Sequence, residues 1–374
     1  MSISIAVLGG GRSPEYGVSL ISAAEVCKGY LDRGNRVLPV WIDRNGEAHL
    51  CEEMQGGARL EAPDLERRGR AVRPFPVSEA FRALKARGVD LVFPALHGPF
   101  GEDGFIQTLL EAAGLRYVGS GSCASALGMS KRRSRLLFRG AGLPVAPGLE
   151  PRPAFCREAR ASDLLAALER AGIGFPLFLK TDRSGSSLGV ARIEEPDALE
   201  EALLQARRDP EGWVVEAEIR GLELTCAVLG HAEGPLEALP VVEIRPRGRR
   251  FFDFEAKYDS GKVEELCPAP SIDAATERAV RGLAIRAHEV LGCRGFSRSD
   301  FILGPEGPVL LETNTIPGLT PESLLPKAAR AAGLEFEMLL ERLAREELDR
   351  PHAEQGAGAA RVSEKTGGGS AHAG

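Results

Sequence analysis

The first third of this sequence predicts an α/β fold with a mostly parallel sheet, and three observations carry that expectation. Apolar runs "ISIAVLGG", "RVLPVWI" and "VDLVFPALHG" read as strands. Between and after them lie stretches of helical periodicity, "VSLISAAEVCKGYL", "VSEAFRALKARG" and "EDGFIQTLLEAAG". The second of these helices stops at Gly88 and the third at Gly114, as glycine C-caps do. Strands alternating with helices imply a parallel sheet covered by helices. Residues 45–73 are polar and rich in Gly and Arg, and are expected to form a loop insertion.

The first unit is therefore expected over 1–125. A second, 126–217, holds the helix "SALGMSKRRSRLLFRGAG", the strand "FPLFLK", a Gly/Ser turn, a helix near 197–207 and the strand "WVVEAEI". A third, 218–349, holds "ELTCAVLG", "EALPVVEI", the long helix "TERAVRGLAIRAHEVLG", the strands around "SDFIL" and "GPVLLETN", and two closing helices. Residues 350–374 contain almost no large apolar side chain and are expected to be a disordered tail.

Composition narrows the function. The 374 residues are 43% hydrophobic and 27% charged, with a formal net charge of −6. That balance offers no basic footprint for nucleic acid or for an anionic membrane surface. No apolar stretch approaches the ~20 residues of a membrane-spanning helix, and "MSISIAVLGG" reads as a first strand, without the basic n-region of a signal peptide. Seven scattered cysteines, none in a C-x-x-C pair, fit reduced thiols in a cytoplasmic protein. Only eight of the 47 basic residues are lysines, so a Lys inside a motif carries extra weight.

Several stretches could carry chemistry. "GGGRSPEYG" follows the first strand but fails the dinucleotide pattern, because its last glycine would fall on Pro14. Glu15 lies where open α/β sheets place ligands. It could bind a substrate ammonium, or simply sit on a helix's first turn. In "HGPFGEDG", His97 is a substrate contact or a histidine bonded to loop backbone, and Glu102 and Asp103 read as N-terminal capping residues. "LFLKTDRSGSSLGV" delivers Lys180 at a strand end before a loop of small and hydroxyl residues, a combination suited to phosphate oxygens. There is no Walker A motif. "FFDFEAKYDSGKVEELCPA" is expected to be a long loop.

The strongest constellation is near the end. "GFSRSDFIL" and "GPVLLETN" look like the two strands of a hairpin. Arg298 and Asp300 share a face, as do Glu312 and Asn314, because side chains two apart on a strand point the same way. If the two faces coincide, Asp300, Glu312 and Asn314 converge as hard oxygen donors. Such a set suits Mg²⁺ or Mn²⁺ that also binds substrate phosphates.

Taken in order, "GGRSPEYGVSL", "ALHGPFGEDG", "YVGSGSCASALGMSK", "KTDRSGSSLGV", "DFEAKY", "RSDF" and "LLETNTIPGLTPESLLP" resemble the D-alanine–D-alanine ligase family of the ATP-grasp superfamily, from residue 5 to about 330. The resemblance implies a three-domain ATP-grasp ligase fold, with an α/β N-terminal domain and α+β character in the ATP-grasp part. It implies a homodimer acting on D-alanine and ATP in peptidoglycan precursor synthesis. By resemblance, Glu15 would hold the ammonium of the first D-alanine, anchored by Ser186 and Tyr258. Lys131, Lys180 and Lys257 would bind the ATP phosphates. Glu223 would bond the ribose, with Glu216 and Ile219 at the adenine. Arg298 and the Gly318 backbone would stabilise the oxyanion, and Asp300, Glu312 and Asn314 would coordinate two Mg²⁺ (or Mn²⁺) ions. Ser323 and the Leu324 backbone would bind the carboxylate of the second D-alanine at a helix N-terminus, with His97 nearby. Tyr258 favours an amine over a hydroxy acid as second substrate.

The chain departs from the family pattern at identifiable positions. Met129-Ser130-Lys131 replaces Met-Asp-Lys, and Lys180-Thr181 replaces Lys-Pro. Asp182 adds a negative charge beside the phosphate loop. Ser299 stands where a hydrophobe is usual, and Ile316 where Ser or Met is commoner. These departures open an alternative, a related amino-acid ligase of a secondary-metabolite pathway with different substrates.

Overall fold

The computed structural model describes residues 2–183, 189–231, 234–246 and 263–351. Ser186, Lys257, Tyr258 and all but the first two residues of the 350–374 tail lie outside the described residues. Among the described residues the strands form three sheets, of five, four and six strands.

The N-terminal sheet has the order β4-β3-β2-β1-β5. Its centre is β1 (Ser4–Gly10), buried at every position and parallel to both β2 (Arg36–Ile42) and β5 (Leu91–Pro94). A strand buried on both faces needs helices on both, and α1 (Tyr16–Asp32) supplies one side. Residues 45–73 are not a loop. They contain β3 (Glu47–Leu50) and α2 (Ala62–Arg70) and lead directly into β4 (Pro74–Pro76), with β3 and β4 adding antiparallel to the sheet. Local chemistry explains the difference. The Asp43 carboxylate accepts the amides of Asn45 and Glu47, both at 2.9 Å, and closes a hairpin turn at Gly46. In α2, Asp64 receives the Glu61 amide at 3.1 Å while Arg67, Arg68 and Arg70 fill the last turn. The helix is polar almost all round, which hid it, and only Leu65 and Gly69 turn inward.

After α3 (Val77–Ala86) and α4 (Phe105–Ala112), the single helix expected from "SALGMSKRRSRLLFRG" is two. α5 (Ser122–Met129) ends and α6 (Lys131–Gly140) begins at Ser130, whose extended backbone and side-chain cap on Arg133 restart the helix. The four-stranded sheet follows, in the order β6 (Gly148–Leu149), β9 (Trp213–Ala217), β7 (Leu177–Thr181), β8 (Val190–Ile193). The helices α7 (Pro153–Glu158), α8 (Ala161–Ala171) and α9 (Leu199–Ala206) accompany it, and Leu164, Leu168, Leu199 and Leu203 pack with Leu177, Leu179 and Trp213 in its core.

The six-stranded sheet runs β13 (Val263–Leu266), β12 (Val242–Pro246), β10 (Leu222–His231), β14 (Arg294–Gly304), β15 (Gly307–Asn314), with β11 (Glu237–Ala238) paired to β10. The end of the expected long loop is thus the edge strand β13. α10 (Ala274–Leu291) packs Val280, Ala284 and Ala287 on Leu224, Cys226, Phe301 and Leu310. Strand alternation leaves Glu223, Thr225, Arg298 and Asp300 on the opposite face. The closing helices α11 (Leu324–Ala331) and α12 (Phe336–Asp349) return to the first unit. One core joins Val26, Tyr30 and Phe93 to Phe296, Leu325, Leu339 and Leu340, and the Tyr30 hydroxyl donates to the Leu340 carbonyl at 3.0 Å.

The inward face of α2 is tight: a Cβ on Gly69 would stand 2.2 Å from the Trp41 ring. Gly69→Val should therefore cost about 2 kcal/mol by overpacking, read as a lower urea midpoint with an unchanged slope. A loop at this position would tolerate the substitution without a shift.

Candidate active site

β14 and β15 pair antiparallel with Arg298 opposite Asn314 and Asp300 opposite Glu312. Directly opposed residues share a face, so the two faces coincide and all four side chains project together. Arg298 grips Asp300 with a fork, Nε to Oδ1 at 2.9 Å and Nη2 to Oδ2 at 2.8 Å. Thr225 on β10 donates to Asp300 Oδ1 at 2.6 Å. Asn314 turns its amide nitrogen to Asp300 Oδ2 at 3.4 Å, which leaves the amide oxygen for another partner. Burial opposes the charge of Arg298, but Asp300 beside it, with Glu312 and Glu102, raises its pKa above the ordinary guanidinium range.

One lysine reaches this face from the start of α6, and a second stands at the end of β7 beside Glu216. Lys131 Nζ stands 3.9 Å from Glu312 Oε2. Lys180, at the end of β7, donates to Glu216 Oε2 on β9 at 2.8 Å. Burial alone would raise the pKa of Glu216, but Lys180 and Arg135 hold it below the usual carboxylate range. Arg135 is only 1% exposed and joins Glu216 at 3.2 Å, Glu150 at 2.9 Å and the Ala146 carbonyl at 2.7 Å. It was not singled out in the sequence, where it is one arginine among many in "KRRSRLLFRG". Ile219 packs against Gly304, and Glu223 lies on β10 in register with Ile244 and Ile302.

The third wall comes from the N-terminal sheet. Glu15 stands at the N-cap of α1, and a Cβ on Gly98 would lie 2.5 Å from its Oε2. Gly98 also has φ +70°, so close approach and backbone both require glycine. His97 is 5% exposed. Its Nδ1 lies 3.2 Å from the Ile316 carbonyl and its Nε2 2.9 Å from Ser22 Oγ. A carbonyl only accepts, so Nδ1 carries the proton and Nε2 accepts from the serine. Burial lowers the pKa of His97, favouring this neutral form. Asp103 does bond the start of α4, through the Phe105 amide at 3.1 Å. Glu102 does not cap it. Its carboxyl receives the amides of Gly98 at 2.7 Å and Ile316 at 3.1 Å, so the 97–102 loop clamps both backbone groups of Ile316. A capping role suggested by sequence position is thus overridden by a contact 214 residues away.

Gly318 and Ser323 also meet. A Cβ on Gly318 would stand 2.7 Å from Ser323 Oγ, which in turn receives the Thr320 amide at 3.1 Å. Ser323 precedes the first turn of α11, leaving Leu324 at the helix N-terminus.

The sequence matches the family models "D-ala D-ala ligase N-terminus" over residues 4–120 and "D-ala D-ala ligase C-terminus" over 137–345. The chain belongs to the D-alanine–D-alanine ligase family. A D-alanine–D-alanine ligase of Mycolicibacterium vanbaalenii is 41% identical over 360 residues, covering 90% of this chain and 95% of the relative. One from Streptomyces coelicolor is 37% identical, with 93% of each chain covered. Among solved structures, the VanG D-Ala:D-Ser ligase of Enterococcus faecalis superposes with a TM-score of 0.77 at 33% identity, covering 93% of this chain and 100% of that one. The D-alanine–D-alanine ligase of Coxiella burnetii gives 0.73 at 26% identity, covering 93% and 94%. Members of this ATP-grasp ligase family use ATP and a divalent metal.

In this family member most departures from the usual motif are matched by packing. Ile316 is 4% exposed, and its side chain joins the core shared with α11 and α12. Ser299 is fully buried and meets Thr313 Oγ1 at 2.9 Å across the hairpin. Thr181 closes on Gly189, whose Cβ would lie 2.4 Å from its Oγ1.

Burial lifts the pKa of Glu102 to about 8, helped by Glu15 and opposed by the two amides and Arg298. The unfolded carboxyl titrates near 4.5, so the native state binds the extra proton between these values. The Glu102 contribution is complete below pH 4.5 and lost as pH rises through about 8. Unfolding free energy of the wild type should fall over that window relative to Glu102→Gln. Parallel profiles for the two proteins would contradict the assignment.

Proposed function

We propose that this protein joins two D-alanines into D-alanyl-D-alanine at the expense of ATP, through an acyl phosphate, for peptidoglycan precursor synthesis. The observation that supports it most is the single face holding Arg298, Asp300, Glu312 and Asn314, with Lys131 reaching Glu312 from the start of α6. The first D-alanine carboxylate attacks the γ-phosphoryl group of ATP, giving acyl phosphate and ADP. The amine of the second D-alanine then attacks the acyl carbon, and phosphate leaves with the C–O bond.

Each residue has work in that scheme. Glu15 holds the first ammonium, with Ser186 and Tyr258 as its anchors. Lys131, Lys180 and Lys257 bind the phosphates, and Glu216, Ile219 and Glu223 hold the nucleoside. Arg298 and the Gly318 amide stabilise charge developing on the carbonyl oxygen, the largest electrostatic contribution available to such a site. Ser323 and the Leu324 amide take the second carboxylate at the α11 N-terminus, and His97 supports the adjoining loop.

The donor set fits a hard cation. Among the described residues no three His, Cys, Asp or Glu side chains cluster for a metal, and the face offers two carboxylates and one amide oxygen. Such a partial set suits Mg²⁺ or Mn²⁺, two ions sharing it with phosphate oxygens. Bound there, the metal would neutralise charge on the transferring phosphoryl group.

The three units divide near residues 126 and 218. The protein works as a homodimer, as its resemblance to the family implies, and in the cytoplasm, a location that its seven free cysteines support. No helix among the described residues is long and apolar enough to cross a membrane. The secondary-metabolite alternative loses much of its motivation, because the buried Ile316 and Ser299 answer to packing.

Incubation with ATP, Mg²⁺ and D-alanine should yield ADP and D-alanyl-D-alanine in equal amounts. A different amino-acid pair that outperforms two D-alanines would overturn the substrate assignment. Asn314→Ala should lower kcat by about 100-fold or more with an unchanged circular dichroism spectrum.

A further inference from the structure

Ser130 and Asp182, two departures from the family's motifs, touch each other. Asp182 directly follows β7 and is 1% exposed. Its carboxylate accepts the Ser130 hydroxyl at 2.8 and 3.1 Å and the Arg132 amide at 2.7 Å. Its backbone carbonyl accepts the Lys131 amide at 3.1 Å, and its own amide donates to Gly212 at 3.0 Å. Ser130 Oγ in turn receives the Arg133 amide at 3.2 Å. The first three amides of α6 are thus all satisfied by these two residues, where a helix start normally leaves them without intrahelical partners.

We propose that Asp182 is a positioning residue for Lys131. One buried residue at the end of β7 fixes the first turn of α6, and through it the place of the Lys131 ammonium relative to Glu312 and Lys180. A carboxylate at a helix N-terminus is favourable in itself. Here it is supplied from a neighbouring strand instead of from the capping residue, which is Ser130. The same contact ties the two lysine-bearing elements together, since Lys180 lies two residues before Asp182. The inference rests on the assignment of Lys131 to the ATP phosphates.

The test is initial-rate kinetics of ADP release with ATP varied at saturating D-alanine, with thermal melts of each protein. Asp182→Ala should raise KM for ATP about tenfold, the loss expected when one charge-assisted contact no longer positions its group, while kcat changes less. Asp182→Asn should fall between, because its amide nitrogen faces a hydroxyl that already accepts from Arg133. The double variant S130D/D182A returns a carboxylate to the cap and should recover most of the ATP affinity. If Asp182→Ala lowers the melting temperature but leaves KM for ATP unchanged, the residue is structural only and the inference falls. It falls equally if S130D/D182A is no better than D182A. An inactive wild type, or Lys131→Ala with unchanged KM for ATP, overturns the underlying assignment instead. Should Asp182→Ala not fold, Asp182→Asn and Ser130→Ala carry the same comparison.

Discussion

The register of β14 against β15 is the constraint on which the site depends. Pairing Asp300 with Glu312 and Arg298 with Asn314 puts two carboxylates, a guanidinium and an amide on one face. A slip of one residue in either strand would send that strand's two side chains to the α10 side and split the set. The far face resists that slip through the buried Ser299–Thr313 hydroxyl pair. The near face resists it through Thr225, which donates to Asp300 from the neighbouring strand. Just beyond Asp300 the ladder shifts by one residue, with Phe301 opposite Leu310, and pairing resumes in the new register to Gly304 opposite Gly307.

Two networks order the other walls of the site. On one side Arg139, Glu150, Arg135, Glu216 and Lys180 form a continuous chain of ion pairs. Such pairs contribute little net stability once desolvation is counted, but removing one partner strands a buried charge. Their consequence is geometric: Lys180 and the start of the 216–219 segment are fixed together. On the other side, the 97–102 loop grips the amide and carbonyl of Ile316 through Glu102 and His97. That grip joins the loop beside Glu15 to the segment running from Asn314 to Gly318.

Much of this was legible in the chain itself. The two-residue spacing in "RSD" and "ETN", with a short turn between two apolar runs, was enough to foresee a hairpin with a shared face on each strand, while the coincidence of the two faces depends on the register of the pair. Strand and helix alternation foresaw the first sheet. What escaped depended on contacts far apart in sequence or on short polar elements. α2 has too few apolar residues for its periodicity to register. The break at Ser130 is enforced by Asp182, 52 residues away. Glu102 looks like a cap until Ile316 arrives from the other end of the chain. Arg135 is inconspicuous because its burial depends on Glu150 and Glu216. The Ile316 substitution, which had suggested an altered substrate, belongs to the core.

The central claim is that cation and phosphates meet on the hairpin face. Paramagnetic broadening of amide signals by Mn²⁺, in the presence of a non-hydrolysable ATP analogue, tests it directly. Signals from residues 298–300 and 312–314 should vanish first, while those of β2 and β3 in the N-terminal sheet persist, and Asn314→Ala should weaken the effect. Broadening centred elsewhere, or unchanged by that substitution, would contradict the account.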